Sequence, residues 1–310
     1  MNNHIKLLLL LFSISILIVS CSTENDYTDT DLHIEKLVVA QSPEATKKND
    51  TPESPIVVSS LFFEQLLFIN HRGLNEYPEN TFVAINAAIL SGYKAVECDI
   101  CMTRDSIFVL QHDSTIDRCS NGIGKVNDMT YEELLAYDFG SWKNNSFAGE
   151  RIARLDDMLD LFKEKGLIIE LDIADETRFK REWIPVLYEL VKQKGMLGQT
   201  VFTATLNVFE DFLTEPRDII ISVSGITHRS YAEQALTLKD RVTLFSFSVS
   251  QFYLSKGMCD YAHENGVKIK TWTTTTREEN EYCLSLGADY IITEVPYEQT
   301  VTTGMHQIHV

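Results

Sequence analysis

The sequence predicts an α/β fold, a TIM (β/α)8 barrel over residues 64–310 with a small hairpin insertion after strand two. Short runs rich in Ile, Val, Phe and Tyr recur along this part of the chain, and most are separated by stretches long enough for a helix. Such alternation favours parallel strands joined by crossover helices. The segment also has the length of a single barrel, which is about 250 residues.

Eight of these runs are predicted to be the parallel strands of the barrel. They are Leu66–Asn70, Lys94–Ile100, Leu167–Ile173, Thr200–Thr205, Ile219–Val223, Val242–Val249, Val267–Thr273 and Tyr290–Thr293. Helical patterns lie between them, such as Asn80–Ser91 and Leu155–Lys165, and a Gly follows each of these two, as is common at helix C-termini. A doubly wound open sheet is the alternative, but no Gly-rich phosphate-binding motif follows the first strand.

One further apolar run, Ser106–His112, interrupts the alternation. The gap between Asp99 and this run is too short for a crossover helix, because a parallel return needs a dozen or more residues. We therefore expect the run to fold back as an antiparallel hairpin strand inserted after the second strand of the barrel.

The first 63 residues do not share the pattern of the barrel. Residues 1–20 contain an apolar run that is too short for a spanning helix, which predicts a signal peptide. The run ends in Ile-Val-Ser-Cys21, which resembles the bacterial lipobox, where the Cys is acylated and becomes the mature N-terminus. Residues 21–63 are rich in Ser, Thr, Asp, Glu and Pro and are predicted to be a disordered tether.

These features predict a lipoprotein whose lipid anchor on Cys21 holds it on a membrane of the bacterial cell envelope, in the periplasm or at the cell surface. A plain signal peptide with an incidental Cys is the alternative.

The composition excludes some partners and leaves other questions open. A net charge of −18 would repel nucleic-acid phosphates over most of the surface, so no nucleic-acid partner is expected. Of the six Cys, five remain after Cys21, and an odd number leaves at least one unpaired in a monomer. We expect Cys98 and Cys101 to be buried core thiols rather than a redox pair. The sequence does not define the oligomeric state.

Polar residues follow the apolar runs at the strand ends, where a TIM barrel places its chemistry. They are His71-Arg72-Gly73 after the first strand, Glu97 and Asp99 on the second, His112-Asp113 after the hairpin, and Glu170 and Asp172 on the third. Glu97 and Asp99 are two residues apart and therefore share one face of a strand, with Glu170 expected on the neighbouring strand. Three carboxylates in one space require a cation, and all-oxygen ligation suits Mg²⁺ or Ca²⁺.

These motifs resemble those of the glycerophosphodiester phosphodiesterase family. The resemblance runs from about residue 68 to 296 and rests on His71-Arg72-Gly73, Glu79-Asn80-Thr81, Glu97-x-Asp99, His112-Asp113, Asn121-Gly-x-Gly124 and Trp272-Thr273. It implies a TIM barrel with a small insertion after strand two and a divalent metal. It also implies hydrolysis of a small-molecule glycerophosphodiester to glycerol 3-phosphate and an alcohol.

The resemblance further implies a role for each residue of the site. Glu97, Asp99 and Glu170 would hold the metal, which polarises a phosphoryl oxygen. Arg72 would bind the substrate phosphate as a bidentate donor. His71 and His112 fit a general acid and base on opposite sides of the phosphorus, with no indication of which is which. Trp272 is expected either as an apolar wall for the glycerol or head group or as a core residue.

The chain departs from the family pattern at two positions. The family usually has a Lys where this chain has Asp172, and its Thr-Asp-x-Pro motif stands here as Thr293-Glu294-Val295-Pro296. Asp172 should face the mouth of the site. It either merely replaces the Lys and repels phosphate, or it binds a cationic or hydroxyl-rich head group or helps to hold the cation. We favour the second interpretation, because an idle anion beside a phosphate would be costly.

Two other functions remain open at this point. One is a non-catalytic surface lipoprotein that binds a phosphodiester or a sugar, for which Asp172 is the best argument. The other is a related barrel phosphodiesterase that acts on other phospholipid head groups.

Overall fold

A computed structural model describes residues 67–173 and 179–300. The predicted signal peptide, Cys21 and the tether lie outside the described residues. The strands of the described part are β1 Phe68–His71, β2 Ala95–Met102, β3 Phe108–Leu110, β4 Ile168–Asp172, β5 Thr200–Thr205, β6 Ile220–Ser224, β7 Leu244–Ser250, β8 Lys268–Thr274 and β9 Tyr290–Thr293.

Helices separate most of these strands. They are α1 Phe82–Ser91, α2 Tyr131–Leu134, α3 Leu155–Lys165, α4 Ile184–Gln193, α5 Leu206–Glu210, α6 Arg229–Ala235, α7 Lys256–Glu264 and α8 Arg277–Leu286. Short 3₁₀ helices lie at Val126–Asp128, Asn145–Phe147, Arg181–Trp183, Leu197–Gln199, Leu236–Arg241 and Tyr297–Gln299. No helix of the described part is long and apolar enough to cross a membrane.

The parallel strands close into a barrel. Hydrogen bonding runs in the order β1-β9-β8-β7-β6-β5-β4-β2, and β1 also pairs with β2, which completes the circle. The pairings of β1 with β2 and with β9 are both parallel. The predicted TIM barrel is therefore confirmed, and a doubly wound open sheet is excluded because an open sheet has two unpaired edges.

The interruption after the second strand is a hairpin, as its short connection predicts. β3 runs antiparallel to β2, with Ile100 opposite Leu110 and Met102 opposite Phe108. The insertion that follows has its own small apolar cluster, which includes Val109, Ile116 and Leu134. This cluster anchors the insertion to the barrel and fixes the position of the residues that follow β3.

The helix ends follow the signals in the sequence. Thr81 caps α1, because its hydroxyl oxygen accepts a hydrogen bond from the Ala84 N–H at 3.3 Å. The helix therefore begins two residues later than the predicted Asn80. Gly92 and Gly166 adopt positive φ angles of 115° and 65° at the C-caps of α1 and α3, which a Gly does at little cost.

Besides the cluster of the insertion, the core has two parts, one outside and one inside the barrel. The larger part lies between the outer faces of the strands and the helices. The smaller part closes the inside of the barrel with one residue from each of several strands: Ile69, Ala95, Ile168, Val201, Ile220 and Ile292. Because side chains alternate along a strand, the inward residues two and four positions further on lie above this apolar layer.

The cysteines of the described part belong to the core. Cys98, Cys101, Cys119, Cys259 and Cys283 are all buried and not joined in disulfides. Burial, reinforced by the neighbouring carboxylate of Glu97, raises the pKa of the Cys98 thiol well above its usual value. A raised pKa suppresses the reactive thiolate of Cys98. The prediction that Cys98 and Cys101 are core thiols is confirmed, because both are buried and neither is in a disulfide.

Candidate active site

A cavity of about 420 Å³ opens at the carboxyl ends of the strands, a volume within the usual range for small-molecule sites. Seven of the residues that the sequence singles out line it: His71, Arg72, Glu97, His112, Glu170, Asp172 and Trp272. Asp99 lies beside it and is completely buried. Hydroxyl side chains line most of the remaining wall: Thr203, Thr205, Ser224, Ser248 and Thr273.

The turn after β1 places His71 and Arg72. Arg72 has a φ of 57° and Gly73 a φ of 90°. A Cβ on Gly73 would lie 2.5 Å from the carbonyl carbon of Ala84, so the turn approaches α1 more closely than any side chain allows. The Arg72 N–H also donates a 3.0 Å hydrogen bond to the Glu97 carbonyl on β2. A Gly at position 73 is therefore needed to hold Arg72 over the end of β2.

The Glu79-Asn80-Thr81 segment braces the same turn. The Asn80 amide nitrogen donates to Asp99 Oδ2 at 2.8 Å, and its amide oxygen accepts from the Asp99 N–H at 3.1 Å. Arg72 Nε lies 2.8 Å from the same Asp99 oxygen, and Arg72 Nη1 lies 3.3 Å from Glu79. Asn80 therefore positions the Asp99 carboxylate and Glu79 positions the Arg72 guanidinium. Thr81 is the N-cap of α1, which follows directly.

Three carboxylates converge at the ends of β2 and β4, with Glu97 and Asp172 on the wall of the cavity and Asp99 beside it. Glu97, Asp99 and Asp172 each offer one oxygen that lies within 4.8 Å of the others. Glu97 is 3% exposed, and its Oε2 has no hydrogen-bond partner. Burial raises the pKa of Glu97 well above its usual value, the charge of Asp99 raises it further, and Arg72 opposes the shift.

Glu170, the other carboxylate on β4, has a different environment. Its Oε1 contacts Lys270 Nζ and accepts a 2.8 Å hydrogen bond from the Thr203 hydroxyl. Lys270 Nζ also lies 3.0 Å from the Thr203 oxygen. Glu170 and Lys270 are 1% and 2% exposed, so the ion pair is almost inaccessible to solvent. Glu170 Oε2 is buried and has no hydrogen-bond partner.

Each imidazole of the cavity has a carboxylate at Nδ1. His71 Nδ1 lies 3.1 Å from Glu294 Oε1, and His112 Nδ1 lies 2.7 Å from Asp113 Oδ1. Because an ionised carboxylate can only accept, Nδ1 carries the proton in both contacts, and the proton-exchanging atom of a neutral ring is Nε2. The hydrogen bond from His71 lowers the pKa of Glu294.

A chain of ion pairs joins the insertion to the turn after β1. Arg118 contacts Glu79 through two nitrogens at 2.7 and 2.8 Å, and its Nε lies 2.7 Å from Asp113. Burial is the largest influence on the pKa values of Glu79 and Asp113 and raises both, but the hydrogen bonds and charge of Arg118 outweigh it together with Arg72 beside Glu79 and His112 beside Asp113, so both pKa values are lowered overall. The chain therefore fixes Asp113, and with it His112, relative to Arg72.

Trp272 lies on the wall of the cavity and is 39% exposed, so it is not a core residue. The structure also brings in residues that the sequence analysis did not single out, above all Lys270, Thr203 and Arg118. Lys270 could have been found, because it is two residues before Trp272 on a predicted strand and must face the same side. Arg118 carries no comparable signal.

The donor set fits a divalent cation. Three carboxylate oxygens lie within 4.8 Å of one another, and two of the three side chains are buried. Glu97 Oε2 has no hydrogen-bond partner and lies 4.0 Å from His71 Nε2. All-oxygen ligation of this kind suits Mg²⁺ or Ca²⁺ rather than softer metals.

Comparison with known proteins identifies the family to which the chain is similar. The sequence model described as the glycerophosphoryl diester phosphodiesterase family matches residues 71–298. A glycerophosphodiester phosphodiesterase from Caldanaerobacter subterraneus is 29% identical over 247 residues, 74% of this chain and 94% of that protein. The human glycerophosphodiester phosphodiesterase 1 is 26% identical over 262 residues, 74% of this chain and 78% of the relative.

Solved structures show the same fold. A phosphodiesterase from Oleispira antarctica in complex with the product sn-glycerol-3-phosphate has a TM-score of 0.66 at 20% identity, over 77% of this chain and 96% of the other. A glycerophosphoryl diester phosphodiesterase from Parabacteroides distasonis has a TM-score of 0.62 at 23% identity, over 77% and 88% of the two chains.

Proposed function

This chain belongs to the glycerophosphoryl diester phosphodiesterase family, and we propose from its geometry how it hydrolyses glycerophosphodiesters to glycerol 3-phosphate and an alcohol. One observation carries the proposal. Two imidazoles, each with a carboxylate at Nδ1, line the same cavity as the buried carboxylate cluster. This arrangement supplies an acid, a base and a place for a cation around one small substrate.

The carboxylate cluster is the place for the cation. We infer that a divalent ion, Mg²⁺ or Ca²⁺, is held by Glu97 and Asp99 together with a carboxylate from β4. When bound, the ion polarises a phosphoryl oxygen and offsets the negative charge that develops on it.

Arg72 is the positively charged side chain that binds the substrate phosphate. Its side chain is 19% exposed and lines the cavity, whereas its Nε and Nη1 are held by Asp99 and Glu79. These carboxylates aim the guanidinium, whose fork of N–H donors matches a phosphate.

His71 and His112 move the protons. One takes a proton from the attacking hydroxyl or water, and the other gives one to the leaving alcohol. They come from β1 and from the end of the hairpin, so they approach the cavity from separate segments. Glu294 and Asp113 keep each ring in the tautomer and orientation that offer Nε2 to the substrate.

The test is a product assay on a panel of glycerophosphodiesters that differ in the alcohol, with glycerol 3-phosphate as the readout. EDTA should abolish hydrolysis and added Mg²⁺ or Ca²⁺ should restore it, because the buried carboxylates need a countercharge. Full activity of a metal-free sample contradicts the metal. Release of another phosphate ester from every substrate contradicts the reaction.

A separate proposal concerns the N-terminus. The apolar run, the Ile-Val-Ser-Cys21 sequence and the polar segment after it support export and acylation at Cys21, with the barrel held at a membrane of the cell envelope. Mass spectrometry of the native protein should find a diacylglyceryl-modified N-terminal Cys21, and Cys21→Ser should lose this modification and leave the membrane fraction. An unmodified N-terminus that begins at another residue excludes the anchor.

A further inference from the structure

We propose that Asp172, rather than Glu170, is the third metal ligand, and that Lys270 is a positioning residue that keeps Glu170 out of the ligand set. This inference rests on the proposed function, since it concerns the metal of the same site.

The positions of the carboxylate oxygens favour Asp172 over Glu170. The atoms that lie within 4.8 Å of one another belong to Glu97, Asp99 and Asp172. Asp172 stands opposite Asp99 in the register of β2 and β4, and Glu170 stands opposite Glu97 one layer deeper. The ligand set therefore takes Glu97 and Asp99 from two successive inward-facing positions of β2. From β4 it takes only Asp172, the inward-facing residue nearer the mouth of the barrel.

Glu170 already has other partners inside the barrel. Lys270 and Thr203 both meet its Oε1, and all three side chains are at most 5% exposed. β8 lies four strands from β4 in either direction around the barrel, so Lys270 reaches Glu170 from the opposite wall. A dry ion pair of this kind is hard to break, because each charge would be left without compensation.

The charges around the site also favour this division. Four carboxylates stand in the two layers above the apolar plug: Glu97, Asp99, Glu170 and Asp172. Two cations contact them, Lys270 at Glu170 and Arg72 at Asp99, and Arg72 is shared with Glu79. When all are ionised an excess of negative charge remains, and a divalent cation offsets it. Lys270 neutralises Glu170, and the ion then serves the other carboxylates.

The experiment measures the binding of Mg²⁺ and of Ca²⁺ to the purified full chain by calorimetry, without substrate. Asp172→Asn should weaken binding by about 100-fold or more, beyond the ~10–100-fold typical of a lost outer-shell partner. Glu97→Gln should do the same and serves as the positive control.

Glu170→Gln alone would strand the Lys270 ammonium and could unfold the chain, so Glu170→Gln/Lys270→Met removes the pair together. This double variant should bind the metal within about tenfold of wild type, because no ligand is lost. Lys270→Met alone strands the Glu170 carboxylate in the same way, so circular dichroism first establishes that the variant is folded. The folded variant should bind the metal more tightly than wild type, because Glu170 is then free to join the site. Lys268→Met is the matched control: Lys268 lies on the same strand, is exposed and pairs with Asp289, and its loss should leave the affinity unchanged.

Two results would overturn the inference. One is loss of metal binding in the Glu170→Gln/Lys270→Met variant with wild-type affinity in Asp172→Asn, which would assign the metal to Glu170 through Oε2. The other is an affinity of Lys270→Met equal to that of Lys268→Met, which would leave Lys270 a structural role only. The product assay on wild type is independent of both, so failure here and failure of the proposed function are distinguishable.

Discussion

The two halves of the barrel interior differ in chemistry. β1, β2 and β4 contribute His71, Glu97, Asp99, Glu170 and Asp172, whereas β5, β6 and β7 contribute hydroxyl side chains to the same cavity, such as Thr203, Ser224 and Ser248. Carboxylates and imidazoles bind cations and move protons, whereas hydroxyls donate and accept hydrogen bonds without charge. The charged half is therefore equipped for the reaction and the hydroxyl half for contacts with a polar ligand.

Lys270 is an exception to this division, because its side chain connects the two halves. It lies on β8, beyond the hydroxyl strands, and ends on Glu170 in the charged half. The exception shows that the charged half is not balanced by itself. Its excess negative charge is offset partly across the barrel and partly by Arg72 at the turn after β1.

The largest effects are expected from the two imidazoles of the charged half. His71→Ala and His112→Ala should each lower kcat by about 10²-fold or more, because each removes general acid or base catalysis. Turnover of glycerophosphodiesters measured as glycerol 3-phosphate checks this. His263→Ala is the matched control, since His263 also contacts a carboxylate, Asp289 at 2.8 Å, but does not line the cavity. If the kcat of His71→Ala or His112→Ala equals that of His263→Ala, the substituted histidine has no catalytic role.

An intermediate effect is expected from the ion-pair chain that braces the charged half, and it should depend on pH. Arg118→Gln should lower Tm at pH 7, because Glu79 and Asp113 lose the partner that holds their pKa values below the usual range. Carboxyls with lowered pKa values stabilise the fold above about pH 4 and lose that contribution as the pH falls through their folded pKa values.

The difference in Tm between wild type and Arg118→Gln should therefore shrink below about pH 4. Thermal melts from pH 3 to pH 7 check it, with Arg277→Gln as the control for an exposed ion pair. A Tm difference that is constant over this range would mean that the carboxyls do not gain their stabilisation from Arg118.

The smallest effect is expected in the hydroxyl half. The Ser248 hydroxyl is buried and has no hydrogen-bond partner. Ser248→Ala should be neutral or should stabilise the fold by up to about 1 kcal/mol, because removing an unsatisfied buried polar group relieves its desolvation cost. Urea unfolding measures it. Thr203→Val, which removes the hydrogen bond to Glu170, should destabilise by about 1–3 kcal/mol in the same assay. Equal changes in the free energy of unfolding for the two variants would mean that the hydrogen bond of Thr203 adds nothing to stability.

The sequence determines much of this protein by local patterns. The spacing of apolar runs predicts eight parallel strands, and the short connection before Ser106 predicts the hairpin, because both depend on how far a chain of given length can reach. His71-Arg72-Gly73 and Glu97-x-Asp99 stand out because charged residues interrupt apolar strands at the end where a barrel places its chemistry. These local signals are also sufficient to find the family.

Only the tertiary structure decides which of these groups meet. Glu170 and Lys270 are 100 residues apart, and His71 and Glu294 are 223 apart, so closure of the barrel brings each pair together. The period of two along a strand shows that Glu170 and Asp172 both face inward, but it does not show which of them the opposite wall neutralises. That choice depends on the reach of one side chain across the barrel, a distance that no local pattern encodes.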